Sequence, residues 1–264
     1  MNSFQLHQPK NLSSAASFAN SGGDTRFLAG GQSILASMKL GLASPDAMID
    51  LSLVPDLQSI SVSAGVIKIG AMVKHADVAA NVDVQKAIPA LAELAGGIGD
   101  RQVRNMGTIG GSLANSDPAA CYPAAALGLG ATIHTDKRAI SADAFFLGLY
   151  ETALEVGEII TAVSFPVPEK AAYVKFKNPA SRFALVAVFV SKGSQGVRVA
   201  VTGAGSCAFR ATDIEKALAG SWSTAACNAV KMKADNLNSD LHASAEYRAH
   251  LIPVIAGRAA AAAK

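Results

Sequence analysis

The chain has 264 residues, of which 50% are hydrophobic and 16% charged, with a formal net charge of +3. That length buries a sizeable core divided between lobes, and so small a charge, with few aromatics and no basic run, argues against a nucleic-acid partner. No apolar run approaches the ~20 residues that cross a bilayer, and Met1 to His7 lacks the charged and apolar regions of a secretory signal, so a cytoplasmic protein is expected.

The first lobe is expected over residues 1–55. Phe4 to Leu6 reads as a strand, and Asn11 or Ser13 caps a helix through Ala19, stopped at Gly22 and Gly23. Thr25 to Ala29 reads as a short buried strand. Gly30 and Gly31 then allow a sharp turn and a close backbone approach. From Ser33, the residues Ile34, Leu35, Met38 and Leu40 recur at helical spacing until Gly41. Strand, glycine pair and helix start together have the form of an anion site, because the first helical N–H groups and the helix dipole face outward. A phosphate or pyrophosphate would suit it, and so would a tight turn with no ligand. The stretch matches neither G-x-G-x-x-G nor G-x-x-x-x-G-K-[ST]. Ala47 to Leu51 reads as a further strand.

Residues 56–170 read as a second, larger lobe. Ser59 to Val62 and Val66 to Ile69 suggest a hairpin, followed by a helical region from His75 to Leu94 that Pro89 breaks or restarts. Gly96 to Pro118 is rich in glycine, with Thr108, Ser112 and Asn115 beside Gly110 and Gly111, and reads as backbone lining a ligand rather than an ordinary loop. Asp117 and Pro118 have the form of a helix N-cap and first helical residue, ahead of the apolar run Ala119 to Leu129. Ala131 to Thr135 and Glu158 to Pro166 read as strands, with a short amphipathic turn at Asp143 to Leu147.

Over residues 171–264, Tyr173 to Lys177, Ala184 to Val190 and Val197 to Thr202 are strand-length apolar segments, although periodicity leaves the middle one open between strand and buried helix. Helices are expected at Thr212 to Ala219, Ser223 to Lys231 and Ser244 to Ala263. The cysteines Cys121, Cys207 and Cys227 are far apart, which argues against a disulfide framework or an iron–sulfur cluster. His242 and His250 lie eight apart with no third ligand, so no metal site is expected.

Two glycine-pair loops that each open a helix suggest one extended dinucleotide between two lobes. The first loop would grip the pyrophosphate, and the second would line the other end. Valine at Gly30 or Gly111 is expected to exclude it. No nucleophile elbow, Ser/His/Asp set or metal triad stands beside them, so no catalytic residue is assigned. A redox cofactor without acid–base machinery fits electron transfer.

Ala29 to Ser33 with Met38 to Leu40, and Val103 to Ser112 with Asp117 to Ala119, resemble the flavin subunit of the molybdenum hydroxylases, the xanthine dehydrogenase and carbon monoxide dehydrogenase family. The resemblance extends to Ser239–His250 and Arg258–Ala259, covering nearly the full length. It implies an α+β fold: a two-lobed FAD-binding domain of the vanillyl-alcohol-oxidase-like (PCMH) type, then a C-terminal sheet-plus-helices domain. It implies FAD, held by Ala29, Gly30, Gly31, Gln32, Ser33 and Ile34 and by Thr108, Ile109, Gly110, Gly111, Ser112 and Asp117. Ile98, Ile160, Lys177 and Phe183 would lie at or near the flavin. Cys121 stands where the family commonly carries an Asp that contacts the cofactor.

The resemblance further implies a large molybdenum–pterin subunit that hydroxylates substrate and a small subunit with two [2Fe–2S] clusters, arranged as a dimer of heterotrimers. This chain would pass electrons from the clusters to NAD, oxygen or a quinone. An aromatic N-heterocycle, an aldehyde, an aroyl thioester and carbon monoxide all remain open as substrate. A stand-alone FAD-dependent reductase or oxidase of the same fold is the alternative, and a non-catalytic CoA or nucleotide module is a third reading.

Overall fold

The computed structural model describes residues 2–264. The first lobe contains β1 (Gln5–His7), α1 (Leu12–Ala19), β2 (Thr25–Leu28), α2 (Ile34–Lys39) and β3 (Ala47–Asp50). Its three strands are parallel, in the order β1-β3-β2. The central strand takes the most apolar segment, and Met48 and Ile49 are fully buried. Asn11 caps α1 by accepting from the Ser14 N–H at 2.8 Å. Strand β2 is only half-buried and ends at Leu28, one residue before the expected Ala29. Leu40 and Leu42, past the end of α2, are largely exposed.

The second lobe begins with the hairpin β4 (Ile60–Ser63) and β5 (Val66–Gly70). The expected long helix is three: α3 (His75–Ala80), α4 (Val82–Ala87) and α5 (Pro89–Gly96). Asn81 makes the first break, its side chain capping α4 through the N–H groups of Asp83 and Val84, and Pro89 makes the second. The glycine-rich zone is helical too, as α6 (Arg101–Met106) and α7 (Ile109–Asn115), capped by Asp100 and Thr108. Asp117 does not cap the next helix. Its carboxylate accepts from Ala119 N–H in a local turn, and α8 (Tyr122–Gly128) starts behind Cys121. Residues 118–120 are held away from that helix because Thr202 Oγ1 reaches the carbonyls of Pro118 and Ala120, while Gly203 N–H donates to Pro118.

The lobe closes with β6 (Thr132–Thr135), β7 (Ala139–Ser141), the small hairpin β8 (Phe146–Gly148) and β9 (Glu151–Thr152), and β10 (Ile160–Pro166). Its main sheet has five antiparallel strands in the order β4-β5-β10-β6-β7.

The C-terminal region is a four-stranded antiparallel sheet of β11 (Lys170–Lys177), β12 (Ala184–Gly193), β13 (Gly196–Thr202) and β14 (Phe209–Arg210), in that order. Helices α9 (Thr212–Gly220), α10 (Thr224–Asn228) and α11 (Ala245–Ala262) pack on it. Helix α10 stops at Asn228, short of the expected Lys231. The segment left open between strand and helix is β12. Its continuous apolar run reflects burial on both faces: Val186, Val188 and Val190 join the core under α11, whereas Phe189 joins the core of the second lobe. Gly128 of α8 lies so near Phe189 that a methyl group there would sit 2.7 Å from the ring. Among the described residues, no helix is long and apolar enough to cross a membrane.

Candidate functional site

A cavity of about 970 Å³ opens where the two lobes meet the C-terminal sheet. The first lobe contributes the loop from Ala29 to Ile34. The second contributes Ile98 to Asp100, the start of α7 and the segment from Glu158 to Ile160. The third region contributes Lys175 and the corner Ser181–Phe183.

The two glycine loops are built differently. Gly30 is obligatory because a Cβ there would overlap the Met106 carbonyl at the end of α6. The close approach read from the sequence is therefore backbone of one lobe against backbone of the other. Gly31 has φ +78°, a left-handed conformation that glycine adopts without strain. Helix α2 follows with no side-chain cap, and the N–H groups of Gln32, Ser33 and Ile34 find no acceptor among the described residues. These are the donors a helix start leaves open, and they line the cavity.

On α7 every such donor is taken. Ile109 N–H donates to Val73, Gly110 N–H to Ala71 and Ser112 N–H to the Thr108 carbonyl, while Gly111 N–H donates to Thr108 Oγ1 at 3.1 Å. Gly110 is packed on Ala71, where a Cβ would approach the Ala71 carbonyl to 2.7 Å. Gly111 instead faces the gap toward the first loop. Its Cβ would lie 3.0 Å from Thr108 Oγ1 and 3.4 Å from Ala29 Cβ, filling space that a ligand passing between the loops would use. Packing within the scaffold thus requires glycine at Gly110, while a side chain at Gly111 would enter the gap between the loops.

The cavity brings together Ala29, Gly30, Gly31, Gln32, Ser33, Ile34, Ile98, Thr108, Gly110, Gly111, Ser112, Asp117, Cys121, Ile160 and Phe183. Two expected residues are elsewhere. Ile109 is fully buried behind the wall in the apolar core. Lys177 is exposed and off the cavity, because the β11–β12 register shifts between Phe176 and Lys177 and turns the strand end away. The lysine on the wall is Lys175, which donates to the Gly97 carbonyl at 2.8 Å and lies 3.5 Å from Cys121 Sγ.

Sequence reasoning also passed over His75. The ring lines the cavity at 4% exposure, its Nδ1 has no partner, and it packs against Gly107. Burial, with the nearby Arg104 charge, lowers its pKa to about 4, so it is neutral at physiological pH. A lone histidine carries no spacing signal that would have found it.

The carboxylates on the wall are tied into the scaffold. Asp100 caps α6, and Asp117 closes its own turn. Glu158 is buried between Arg138 at 3.0 Å, Thr135 Oγ1 and the Glu155 N–H, and the Arg138 hydrogen bond leads in lowering its pKa to about 2. What the cavity offers a guest is open backbone N–H donors, small residues that let it pass close to the chain, and apolar side chains. Those features fit a dinucleotide with a pyrophosphate on Gln32 to Ile34.

Residues 2–168 match the family described as the FAD binding domain in molybdopterin dehydrogenase, and residues 171–263 match the CO dehydrogenase flavoprotein C-terminal domain. The chain is 35% identical over 258 residues to the nicotine 6-hydroxylase medium subunit of Paenarthrobacter nicotinovorans, covering 92% of this chain and 91% of that one. It is 34% identical over 228 residues to the glyceraldehyde dehydrogenase medium chain of Sulfolobus acidocaldarius, covering 82% and 81%. Its fold superposes on reconstituted CO dehydrogenase from Oligotropha carboxidovorans with a TM-score of 0.91, at 32% identity, covering 98% of this chain and 96% of that one. Quinoline 2-oxidoreductase from Pseudomonas putida 86 gives 0.89 at 29% identity, covering 99% and 96%. With both halves of the sequence and the whole fold in agreement, the chain belongs to the molybdenum hydroxylase family as its medium, FAD-binding oxidoreductase subunit.

Proposed function

We propose that this chain is the electron relay of a three-subunit molybdenum hydroxylase, arranged as a dimer of heterotrimers in the cytoplasm. A small partner with two [2Fe–2S] clusters would be the source of electrons for FAD held here, and an external acceptor would be their destination. A large molybdenum–pterin partner hydroxylates the substrate. Bound FAD supplies reversible electron acceptance. The chain's own residues do the rest: Gln32 to Ile34 offer N–H donors to the pyrophosphate, Gly111 leaves the passage between the loops clear, and Ile98, Ile160 and Phe183 cover apolar surface. The observation that carries this reading is the set of open N–H groups at the start of α2, facing a cavity whose carboxylates are already engaged within the scaffold.

The relatives named above act on substrates as unlike as glyceraldehyde, nicotine and quinoline. We therefore assign substrate choice to the large partner.

The test is to purify the chain, load it with FAD and screen it against heteroaromatics and aldehydes with a dye acceptor, alone and with both partners. A yellow protein that turns over only in the complex is expected. Turnover by the single chain would favour the stand-alone oxidase, and a chain that takes up no FAD would overturn the reading of the cavity.

A further inference from the structure

Among the described residues two cations on the cavity wall lack a carboxylate partner: Arg182, which is exposed, and Lys175, which is half-buried. The ammonium enters from β11, half-buried, and its contacts are the Gly97 carbonyl at 2.8 Å and Cys121 Sγ at 3.5 Å. Among the described residues it has no carboxylate within ion-pairing distance. The wall carboxylates that might have offset it are engaged elsewhere, Glu158 by Arg138, Asp100 by the N-terminus of α6 and Asp117 by its own turn. The side chain it contacts among the described residues is a thiol, a weak hydrogen-bond partner.

We propose that Lys175 is the fixed positive charge that sets the redox poise of the flavin bound here, and that Cys121, which places no carboxylate beside the ammonium, leaves that charge undivided. The inference rests on reading the cavity as the seat of FAD. A cation held in a partly dry cavity favours the more negative of two redox states of its guest, because the field is screened less there than in water. A carboxylate at position 121 would stand within ion-pairing reach of Nζ and divert that field. The pair thus raises the potential at which the chain accepts electrons, with Lys175 as source and Cys121 as the residue that permits it.

The experiment is a potentiometric titration of the full, FAD-loaded chain with reference dyes, run on wild type, Lys175→Met, Lys175→Arg and Cys121→Asp. Flavin content and the dissociation constant for oxidised FAD are measured in parallel. Lys175→Met and Cys121→Asp should each lower the potential by ~30 mV or more, a tenfold loss in preference for reduced over oxidised FAD for a two-electron couple. Lys175→Arg should restore the wild-type value. Flavin-replete variants with an unmoved potential would overturn the inference and leave the FAD reading intact. A wild-type chain without FAD would overturn both. Should Cys121→Asp not fold, the contrast between Lys175→Met and Lys175→Arg decides the matter.

Discussion

The two glycine pairs look alike in the sequence and do different work in the fold. At Gly30–Gly31 the helix that follows keeps its first donors open, and the glycine without room for a Cβ abuts the Met106 carbonyl of the other lobe. At Gly110–Gly111 every donor at the helix start is satisfied internally, and the crowded glycine is pressed onto Ala71. The first pair leaves donors open at the cavity, whereas in the second Gly110 is pressed into the scaffold and Gly111 faces the gap between the loops. A doubled glycine before a helix marks where backbones meet, and only the hydrogen-bond count shows whether a ligand is wanted as well.

Breaking the lobe-to-lobe contact should have the largest effect. Gly30→Val drives a branched side chain into the Met106 carbonyl, so loss of FAD and a destabilisation of ~3 kcal/mol or more are expected. Gly111→Ala should stay within ~1 kcal/mol of wild type, because its neighbours need give only a few tenths of an ångström and alanine is the better helix former. Flavin absorbance and thermal melts of the two variants measure the contrast. Equal damage from both would break the distinction drawn between the loops.

Acid should loosen the second loop before the first. His75 packs on Gly107, and its folded pKa of about 4 lies below the ordinary 6.5. The unfolded chain therefore takes up the proton first. The stability held above 6.5 falls as pH drops from 6.5 towards 4, by a term on the order of 3 kcal/mol. Glu158 adds a loss in the same direction at lower pH, between its ordinary 4.5 and about 2. Melting temperatures followed from pH 7.5 to 4.5 in roughly half-unit steps report the histidine term, and His75→Leu should flatten that slope. An unchanged slope in the variant would remove His75 as its source.

The smallest effect should come from the cap. Thr108→Ala removes the acceptor of the Gly111 N–H and should cost about 1 kcal/mol while leaving FAD bound, as a scaffold role requires. Loss of flavin at unchanged stability would mean that Thr108 serves the ligand directly.

Much of this was legible in the residues. Asn11 and Ser244 cap the helices they precede, Pro89 opens α5, and the strands flanking the second lobe follow their apolar patterns. The wall of the cavity was legible because its residues cluster in two short motifs. The rest needed three dimensions. Glycine's poor helix propensity concealed α7, and α6, free of glycine, is a short segment between glycines; both rest on their Asp100 and Thr108 caps and on tertiary packing. Burial on both faces erased the alternation that would have marked β12. A bulge decided between Lys175 and Lys177, two lysines two residues apart on the same strand.

The cavity wall on β11 also bears on how the protein is made. Lys175 and the Ser181–Phe183 corner belong to a sheet whose outer face is covered by α11, from Ala245–Ala262. A ribosome that has released both lobes has released only part of the vessel, since the last wall stands once α11 has folded across β11 and β12. With FAD seated in this cavity as proposed, its capture would be a late step of maturation, and the cofactor would meet residues from all three regions of the chain. It then acts as a non-covalent staple whose holding power grows with free FAD, which makes resistance to proteolysis a readout of cofactor supply.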